Sequence, residues 1–577
     1  MHIFFGISEI IIKFAGHKQK QAMRLLTTTI IMLCSVIAAR GQLSIDGRSA
    51  CYDRTTNTLL ATVPRSMFGM SPSLAVSLDD DAWSSLSING IPLDSASYCF
   101  TKITATSNYV VTLTDTLGNT VDRNLHFTFL PIMQLHGDFG YDYSGGLVNL
   151  SDPTANMTVV LGANIKWRGG MTNTNSKHKR NYKIKLDVDS ALLGMRHDDS
   201  WMLDAGQPDV FRLRNRIAMD IWNRMATPPY YIDQEPEARN GVSGRVVEVF
   251  LNDEYRGFYN LSELIDRQQM KLKKVERNSN IIHGCLYKCI SWDHAMLYSK
   301  FDDYDNHSEA LYGFEVKYPD LSDCDTTDWR PLVEATNFAL ESSDEDFINH
   351  IEEYFDLPVL ADYMVFGSSL NAVDNYGKNV YWAVYDKQTT HRLTPAAWDL
   401  DCTLGQRWGG TLGDLSKYNL IMDMDIHVGY RLLKLKAHGF KERLQQRYTE
   451  LRSSGILNTD SLLQLITRYY DEIILSGAAC READLWSGDT DIKGEEIDFD
   501  AEYAYICNWI QRHLRIIDRL GMPLEYTDEY FEKLNNCIWP SVVTSLPTYY
   551  NLQGQPVGPK PQKPGIYISQ GRKVVIK

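Results

Sequence analysis

The stretch Asn371–Gly405 constrains this chain more than any other: N-A-V-D-N-Y-G-K-N-V-Y-W-A-V-Y-D-K-Q-T-T-H-R-L-T-P-A-A-W-D-L-D-C-T-L-G. Asn379 to Tyr385 alternates as a strand, Asp386 to Thr390 is a polar turn, and His391 to Trp398 is the return strand. Pro395 has no amide to donate, which puts the return strand at a sheet edge or a bulge. A hairpin centred near Gln388–Thr389 pairs residues whose numbers sum to about 777, so Asn379 falls opposite Trp398 or Asp399. Asp374, Asn379, Asp399 and Asp401 then meet at one end of a sheet. Three carboxylates and an amide are hard oxygen donors. Such a set suits Mg2+, Mn2+ or Ca2+, or a metal-bound nucleotide.

The spacing inside the cluster adds to this. Asp374 and Asn379 form D-x-x-x-x-N, the spacing of a kinase catalytic loop, in which the Asp orients the accepting hydroxyl and the Asn holds Mg2+. Asp399, after an apolar strand, would supply a further metal contact. An acidic pair after a strand also serves as a capped turn, so the spacing alone leaves a metal site and a structural turn both open.

With 577 residues, 44 % of them apolar, the chain has length for two to four domains and enough apolar side chains for a large core. Its net charge of −15 and pI near 5.4 argue against a nucleic-acid binder, which needs a basic face. The first 41 residues read as processing sequence, with Met23 as an alternative start. Arg24 precedes the apolar run Leu25 to Ala39, and Ala39-Arg40-Gly41 offers a cleavage site before Gln42. This predicts export, to the periplasm, the cell surface or the medium. No later stretch is apolar for long enough to span a membrane. Of ten cysteines, nine remain after the leader; Cys51 and Cys99 flank one segment and could pair, and the rest read as buried thiols.

Residues 42–127 read as a small β-sandwich, with strands at Leu59–Val63, Leu74–Leu78, Tyr109–Thr114 and Asn124–Leu130. A main domain, 128–522, begins near Leu130-Pro131. Thr158 to Arg168 is a strand. In the next, His178 to Leu186, Tyr182, Ile184 and Leu186 point one way and Lys183 and Lys185 the other. Two lysines on one face can grip phosphates or merely solvate an edge. Val210 to Met225 is a helix by periodicity, with Asp209 as its N-cap. Arg245–Phe250 and Arg256–Leu261 form a hairpin whose second strand runs into Glu263, a partner for a buried lysine or a cap for a following helix. Leu311 to Pro319 is a strand, and residues 326–370 and most of 428–520 are helical. The end, 523–577, reads as a linker and a small β unit.

Together these pieces resemble the CotH kinase family. The carrying segments are Arg168-Gly169-Gly170 with Lys179 to Leu186, Val247 to Asp266 (V-E-V-F-L-N-D-E-Y-R-G-F-Y-N-L-S-E-L-I-D), Phe314 to Pro319, Asp374 to Asn379, and Trp398 to Gly405. The resemblance spans roughly Leu130 to Leu520. It implies an α+β architecture whose main domain is an atypical, two-lobed protein-kinase-like fold, preceded by the small all-β domain and followed by the β tail. It implies ATP and Mg2+ or Mn2+ as cofactors, and a protein Ser or Thr, or another hydroxyl, as acceptor. Asp374 would match the catalytic Asp and Asn379 and Asp399 the metal-holding positions, with Asp401 in support. Lys183 or Lys185 would match the phosphate-binding lysine, with Glu263 in the same nucleotide-binding set. No H-R-D precedes the loop, since Ala372-Val373 stands there, and no G-x-G-x-x-G is present. The tail resembles the sorting or surface-attachment tails of exported Bacteroidetes proteins. Two alternatives remain: a non-catalytic surface adhesin or pseudokinase holding a structural Ca2+, and a glycosyltransferase using Asp399-Leu400-Asp401 as a D-x-D.

Overall fold

The computed structural model describes residues 43–93, 96–170, 173, 174, 176–291, 300–375, 378–413 and 427–523, and the backbone of four short strands beyond them. The expected leader and its processing site lie outside the described residues.

Ten strands come first: β1 Leu43–Ile45, β2 Arg48–Ser49, β3 Cys51–Asp53, β4 Thr58–Thr62, β5 Ser73–Leu78, β6 Trp83–Ile88, β7 Ile91–Pro92, β8 Ser97–Cys99, β9 Tyr109–Asp115 and β10 Thr120–Thr128. They form two sheets, β2-β1-β5-β8 and β3-β4-β10-β9-β6-β7. Alternating residues of both sheets, among them Leu43, Leu59, Val76, Val111, Leu113 and Phe127, fill one core between them. The sequence reading missed six of these strands because each is short and half polar. Cys51 and Cys99 are both free thiols, one buried and one exposed, so the pairing suggested by their positions does not form.

The next seven strands close into a barrel of order β11-β12-β13-β14-β15-β17-β16. They are β11 Ile132–His136, β12 Ser144–Ser151, β13 Thr158–Arg168, β14 Asn181–Ala191, β15 His197–Asp204, β16 Gly244–Leu251 and β17 Glu254–Ser262. Parallel pairing of β11 with β16 closes the ring; all its other pairings are antiparallel. Closure leaves no free edge. Val148, Ile165, Tyr182, Ile184, Trp201, Val249 and Tyr259 fill the interior, so the lysines that alternate with Tyr182, Ile184 and Leu186 stand on the outside. The turn between β16 and β17 is the two-residue pair Asn252-Asp253, both at positive φ (49° and 62°), as a hairpin turn matched to strand twist requires. Strand β14 starts at Asn181 rather than His178. Backbone amides of His178 and Lys179 bond to the Asp491 carboxylate, 2.8 and 3.1 Å, and hold that segment out of the ladder.

A helix runs from Arg214 to Met225 and buries Ile217, Ala218, Ile221, Trp222 and Met225, the expected stripe. It starts four residues later than its periodicity suggests. Asp209 is not the N-cap residue. Its carboxylate accepts from the amides of Phe211 (3.0 Å) and Arg214 (2.9 Å) and pairs with the buried Arg214 guanidinium, so it closes a turn before the helix.

The second sheet has the order β19-β20-β18-β21-β22. Its strands are β18 Cys285–Cys289, β19 Ala310–Leu311, β20 Phe314–Tyr318, β21 Val380–Val384 and β22 Thr394–Ala397. Helices Arg330–Glu341, Asp344–Tyr354 and Leu357–Leu370 precede its last hairpin, and five more, from His427–Lys434 to Phe499–Leu520, complete the described main body. One large core joins this sheet, the helices and the helix beside the barrel. Leu357–Leu370 is mostly apolar, apart from Asp362, Ser368 and Ser369, and every residue but Pro358 is buried. It ends on Asn371 in the left-handed conformation, φ 49°, which turns the chain directly into Asp374. No helix among the described residues is long and apolar enough to cross a membrane. Strands Tyr549–Tyr550, Pro556–Gly558, Gly565–Ser569 and Arg572–Ile576 form a small sheet in the tail.

Candidate functional site

The hairpin of β21 and β22 has the register expected from its turn. Val380 pairs with Ala397, Tyr381 with Ala396 and Trp382 with Pro395, each summing to 777. Strand β22 lies at the sheet edge, where Pro395 costs no ladder bond. The Trp398 amide donates to the Asn379 carbonyl, 3.2 Å. Asn375, fully buried, staples the open end by donating to the carbonyls of Asn379 (3.1 Å) and Trp398 (2.8 Å). Sequence reasoning missed this amide because it lies between two residues that looked functional.

Asp374 is buried at 6 % exposure. Its carboxylate accepts from Asn379 Nδ2 (2.8 Å) and Trp408 Nε1 (2.7 Å), and Lys378 Nζ lies 3.2 Å away. Asn379 and Asp399 both adopt left-handed backbone, φ 60° and 57°, a conformation few non-glycine residues hold without surrounding constraint. Asp399 is exposed, and Asp401 is half-buried. Burial pushes the Asp401 carboxyl well above the usual carboxylate range, and the charges of Asp399, Asp374, Asp204 and Asp209 add to the shift. Asp204, at the end of β15, is raised by burial and by Asp399. It is tied to the hairpin through Asn215, which donates to Asp204 Oδ2 (2.7 Å) and accepts from the Leu400 amide (3.0 Å). Between Asp204, Asn215, Met202, Trp398 and Asp399 lies a cavity of about 20 Å3, room for one water-sized group. Gly405 closes the segment at φ 89°. A side chain there would come within 2.6 Å of Trp509, so only glycine fits.

Among the described residues, no Lys, Arg or His pairs with Asp204, Asp399 or Asp401. Four carboxylates thus crowd one place, where Lys378 pairs with Asp374. The donor chemistry fits a divalent cation: Asp399 and Asp401 supply carboxylate oxygens, and Asn379, donating through Nδ2, keeps Oδ1 for a ligand. Asp204 is the member that sequence reasoning missed. It comes 170 residues before Asp374 at the end of a barrel strand, and no local pattern marks it.

The other expected residues separate. Lys183 is partly buried on the outer face of β14, and burial followed by Arg168 lowers its pKa. Lys185 is exposed and lies 3.8 Å from Asp199. Among the described residues Glu263 pairs with no lysine and caps no helix. Its carboxylate accepts from the amides of Arg196 (3.1 Å) and Ser243 (2.8 Å) and so joins separate segments at the barrel rim. Among the described residues, one group of His, Asp and Glu atoms lies within mutual reach of 4.8 Å: His178, Asp489 and Asp491. Those oxygens already accept from His178 Nδ1, the amides of His178 and Lys179, and the Asp491 amide. The group staples a loop to the turn Thr490–Ile492.

Residues 165–517, more than half of the chain, match the family described as CotH kinase protein. The chain belongs to the CotH kinase family. No curated protein matches the chain. The CotH match begins inside β13 and ends inside the helix Phe499–Leu520, so it contains every member of the acidic cluster and the barrel strands that carry Lys183 and Asp204.

Proposed function

We propose that this CotH family member transfers the γ-phosphoryl group of ATP to a hydroxyl acceptor, a protein Ser or Thr or another hydroxyl, at the acidic cluster. The observation that carries the reading is the crowding of Asp204, Asp374, Asp399 and Asp401, which adds to burial in raising Asp401 above its ordinary range, with no Lys, Arg or His among the described residues paired to Asp401. We read the barrel, and the second sheet with its helices, as the two lobes of an atypical kinase, with the nucleotide taken between them. Bound Mg2+ or Mn2+ supplies neutralisation of the phosphate oxygens as charge develops. Asp399, Asp401 and Asn379 would hold it. Asp374, kept in place by Asn379 and Trp408, orients the acceptor hydroxyl and accepts its hydrogen bond. We further read the first 41 residues as an export leader, the region 42–127 as a separate β domain, and the tail as a surface-attachment unit.

The glycosyltransferase alternative has less support, because the strands before the D-x-D form an antiparallel barrel rather than successive parallel βαβ units. The structural Ca2+ alternative is separated by experiment. Asp399→Asn is expected to lower phosphoryl transfer by about 10²-fold or more and to weaken Mn2+ binding. In metal-free buffer its melting point should equal or exceed that of the wild type, because one repelling charge is gone. A wild-type melting point that rises with metal but never with ATP would sink the kinase reading and leave the Ca2+ one.

Trp408 gives a second test. Its ring is 47 % exposed, yet its indole N–H is committed to Asp374. Trp408→Phe keeps a ring and removes the donor. It should lower kcat by about 10-fold while KM for ATP holds, the signature of a lost transition-state alignment. A rise in KM alone would make Trp408 a nucleotide contact instead.

A further inference from the structure

The cavity of about 20 Å3 beside Asp399 lies between the barrel and the helix Arg214–Met225. Asp204 and Asn260 line it from β15 and β17, where they are direct cross-strand partners. Asn215 and Arg216 line it from the helix, and Asp399 from the hairpin.

Most polar atoms around it are satisfied. Asp204 accepts from the Gly206 amide at 2.9 Å and from Asn215 at 2.7 Å, and Asn215 accepts in turn from the Leu400 amide at 3.0 Å. Asn260 Nδ2 donates to the Arg212 carbonyl, 2.9 Å, and Arg216 Nη2 donates to Asp220 (2.7 Å) and to the Val242 carbonyl (2.9 Å). Two atoms stand apart. Among the described residues, Asn260 Oδ1 and Arg216 Nε have no hydrogen-bond partner, although each residue is only 3 % exposed. One is an acceptor and the other a donor, and buried polar groups are rarely left unmet.

A water molecule accepts from one and donates to the other. The volume suits it, since one water needs roughly 10–15 Å3. A second divalent cation does not suit the place. Mg2+ takes an octahedron of oxygens and keeps several waters, which needs more room, and it would face the permanently charged Arg216 guanidinium. A water held by Arg216 and Asn260 has one proton left, and the carboxylates of Asp204 and Asp399 line the same cavity.

We infer that this cavity is a water site, in which one ordered water accepts from Arg216 Nε, donates to Asn260 Oδ1 and turns its second proton to the carboxylates of Asp204 and Asp399. Arg216 and Asn260 are then positioning residues, which act on the acidic cluster through that water. The water rests on the cavity and its two unmet atoms alone. Its effect on metal rests on the reading of Asp399 as a metal-holding carboxylate, because such carboxylates depend on outer hydrogen bonds.

The test joins a high-resolution crystal structure with Mn2+ titration of wild type, Arg216→Gln and Arg216→Met. The crystal should show one peak within hydrogen-bond distance of both atoms. Glutamine carries its Nε2 one bond beyond Cδ, where arginine carries Nε, so it keeps the donor; methionine does not. Both variants lose the bonds to Asp220 and Val242, and their melting points should fall alike. Arg216→Met is expected to bind Mn2+ about 10-fold more weakly, as for loss of an outer partner of a metal-holding group, and Arg216→Gln nearly as well as wild type. An equal loss in both would assign the effect to the Asp220 ion pair and overturn the positioning role, as would no loss in either. A cavity without a peak, or one with an anomalous Mn2+ signal, would overturn the water. Should Arg216→Met fail to fold, Asn260→Leu, which removes the acceptor, carries the same expectation for Mn2+. The two readings fail differently. A cavity water and a weakened Arg216→Met, in a protein that phosphorylates no acceptor, leave this inference and remove the kinase. Phosphoryl transfer by a wild type whose cavity holds no water does the reverse.

Discussion

Asp374→Asn is expected to lower phosphoryl transfer by about 10²- to 10⁴-fold, the range for losing a positioned acid–base group, while fold and ATP affinity stay close to wild type. The substitution preserves shape. It removes one of the two oxygens that now accept from Asn379 Nδ2 at 2.8 Å and Trp408 Nε1 at 2.7 Å, so one donor loses its acceptor. Against that cost, a negative charge leaves a site where four carboxylates repel one another, and Asp401 is relieved directly, since Asp374 is among the causes of its shift. The two effects oppose, and the melting point should move little. Lys378 loses its partner at 3.2 Å, but its side chain keeps 31 % exposure and water replaces the contact. The measurement is autophosphorylation or ATP hydrolysis with Mn2+, beside a melting curve and an ATP titration. Transfer at the wild-type rate would remove Asp374 from the reaction. A collapse of the melting point would make it a structural residue.

How much of this site the sequence disclosed follows from how local each contact is. The register of the hairpin was legible, because a polar turn between two alternating runs fixes it and Pro395 fixes the edge, although the return strand begins at Thr394 rather than His391. Asp374, Asn379, Asp399 and Asp401 are brought together by that one hairpin, so their proximity came with it. Asp204 was not legible. It reaches the cluster at the end of a barrel strand, and neither a period of two nor one of 3.6 implies that. The strands of the closed barrel could be seen singly; their closure through the parallel pair β11–β16 could not, because no sequence period encodes which distant strand completes a ring. Asp209 and Glu263 failed in the opposite way. Both sit at plausible capping positions. Asp209 is taken by the nearby amides of Phe211 and Arg214, where local hydrogen bonding competes with regular structure, whereas Glu263 is taken by the amides of Arg196 and Ser243, which the barrel topology brings to it from far along the chain.

The largest stability effect is expected at Glu482, which the sequence shows only as one acidic residue in a helical run. Its carboxylate is fully buried. It accepts from Lys179 Nζ at 2.8 Å, Arg212 Nε at 2.9 Å and the Phe258 amide at 3.1 Å, and both cations are themselves within 2 % of full burial. The G of N-D-E-Y-R-G-F-Y belongs to this contact: a side chain on Gly257, at φ 88°, would stand 2.0 Å from Glu482 Oε2. The network therefore ties the segment before β14, the strand β17, the turn before helix Arg214–Met225 and the helix Ala478–Trp486. Glu482→Gln leaves two buried cations facing a neutral amide and should cost ~3–5 kcal/mol, the usual result of removing one side of a buried pair. Lys179→Met should cost much less, because Arg212 and the Phe258 amide still satisfy the carboxylate. The pH dependence follows from Lys179, whose pKa is lowered to about 7, chiefly by burial and secondarily by Arg212, with Glu482 opposing. A lysine lowered in the folded state is penalised in full below its folded pKa, and the penalty fades as pH rises toward 10.5, its ordinary value. The Glu482→Gln deficit should therefore be larger below about pH 7 than above it, where Lys179 sheds its proton but Arg212 cannot. Urea unfolding of the three proteins on both sides of neutrality measures this. A Glu482→Gln cost below ~1 kcal/mol, the size of an exposed pair, would mean that water reaches the network and that Lys179 and Arg212 do not depend on it.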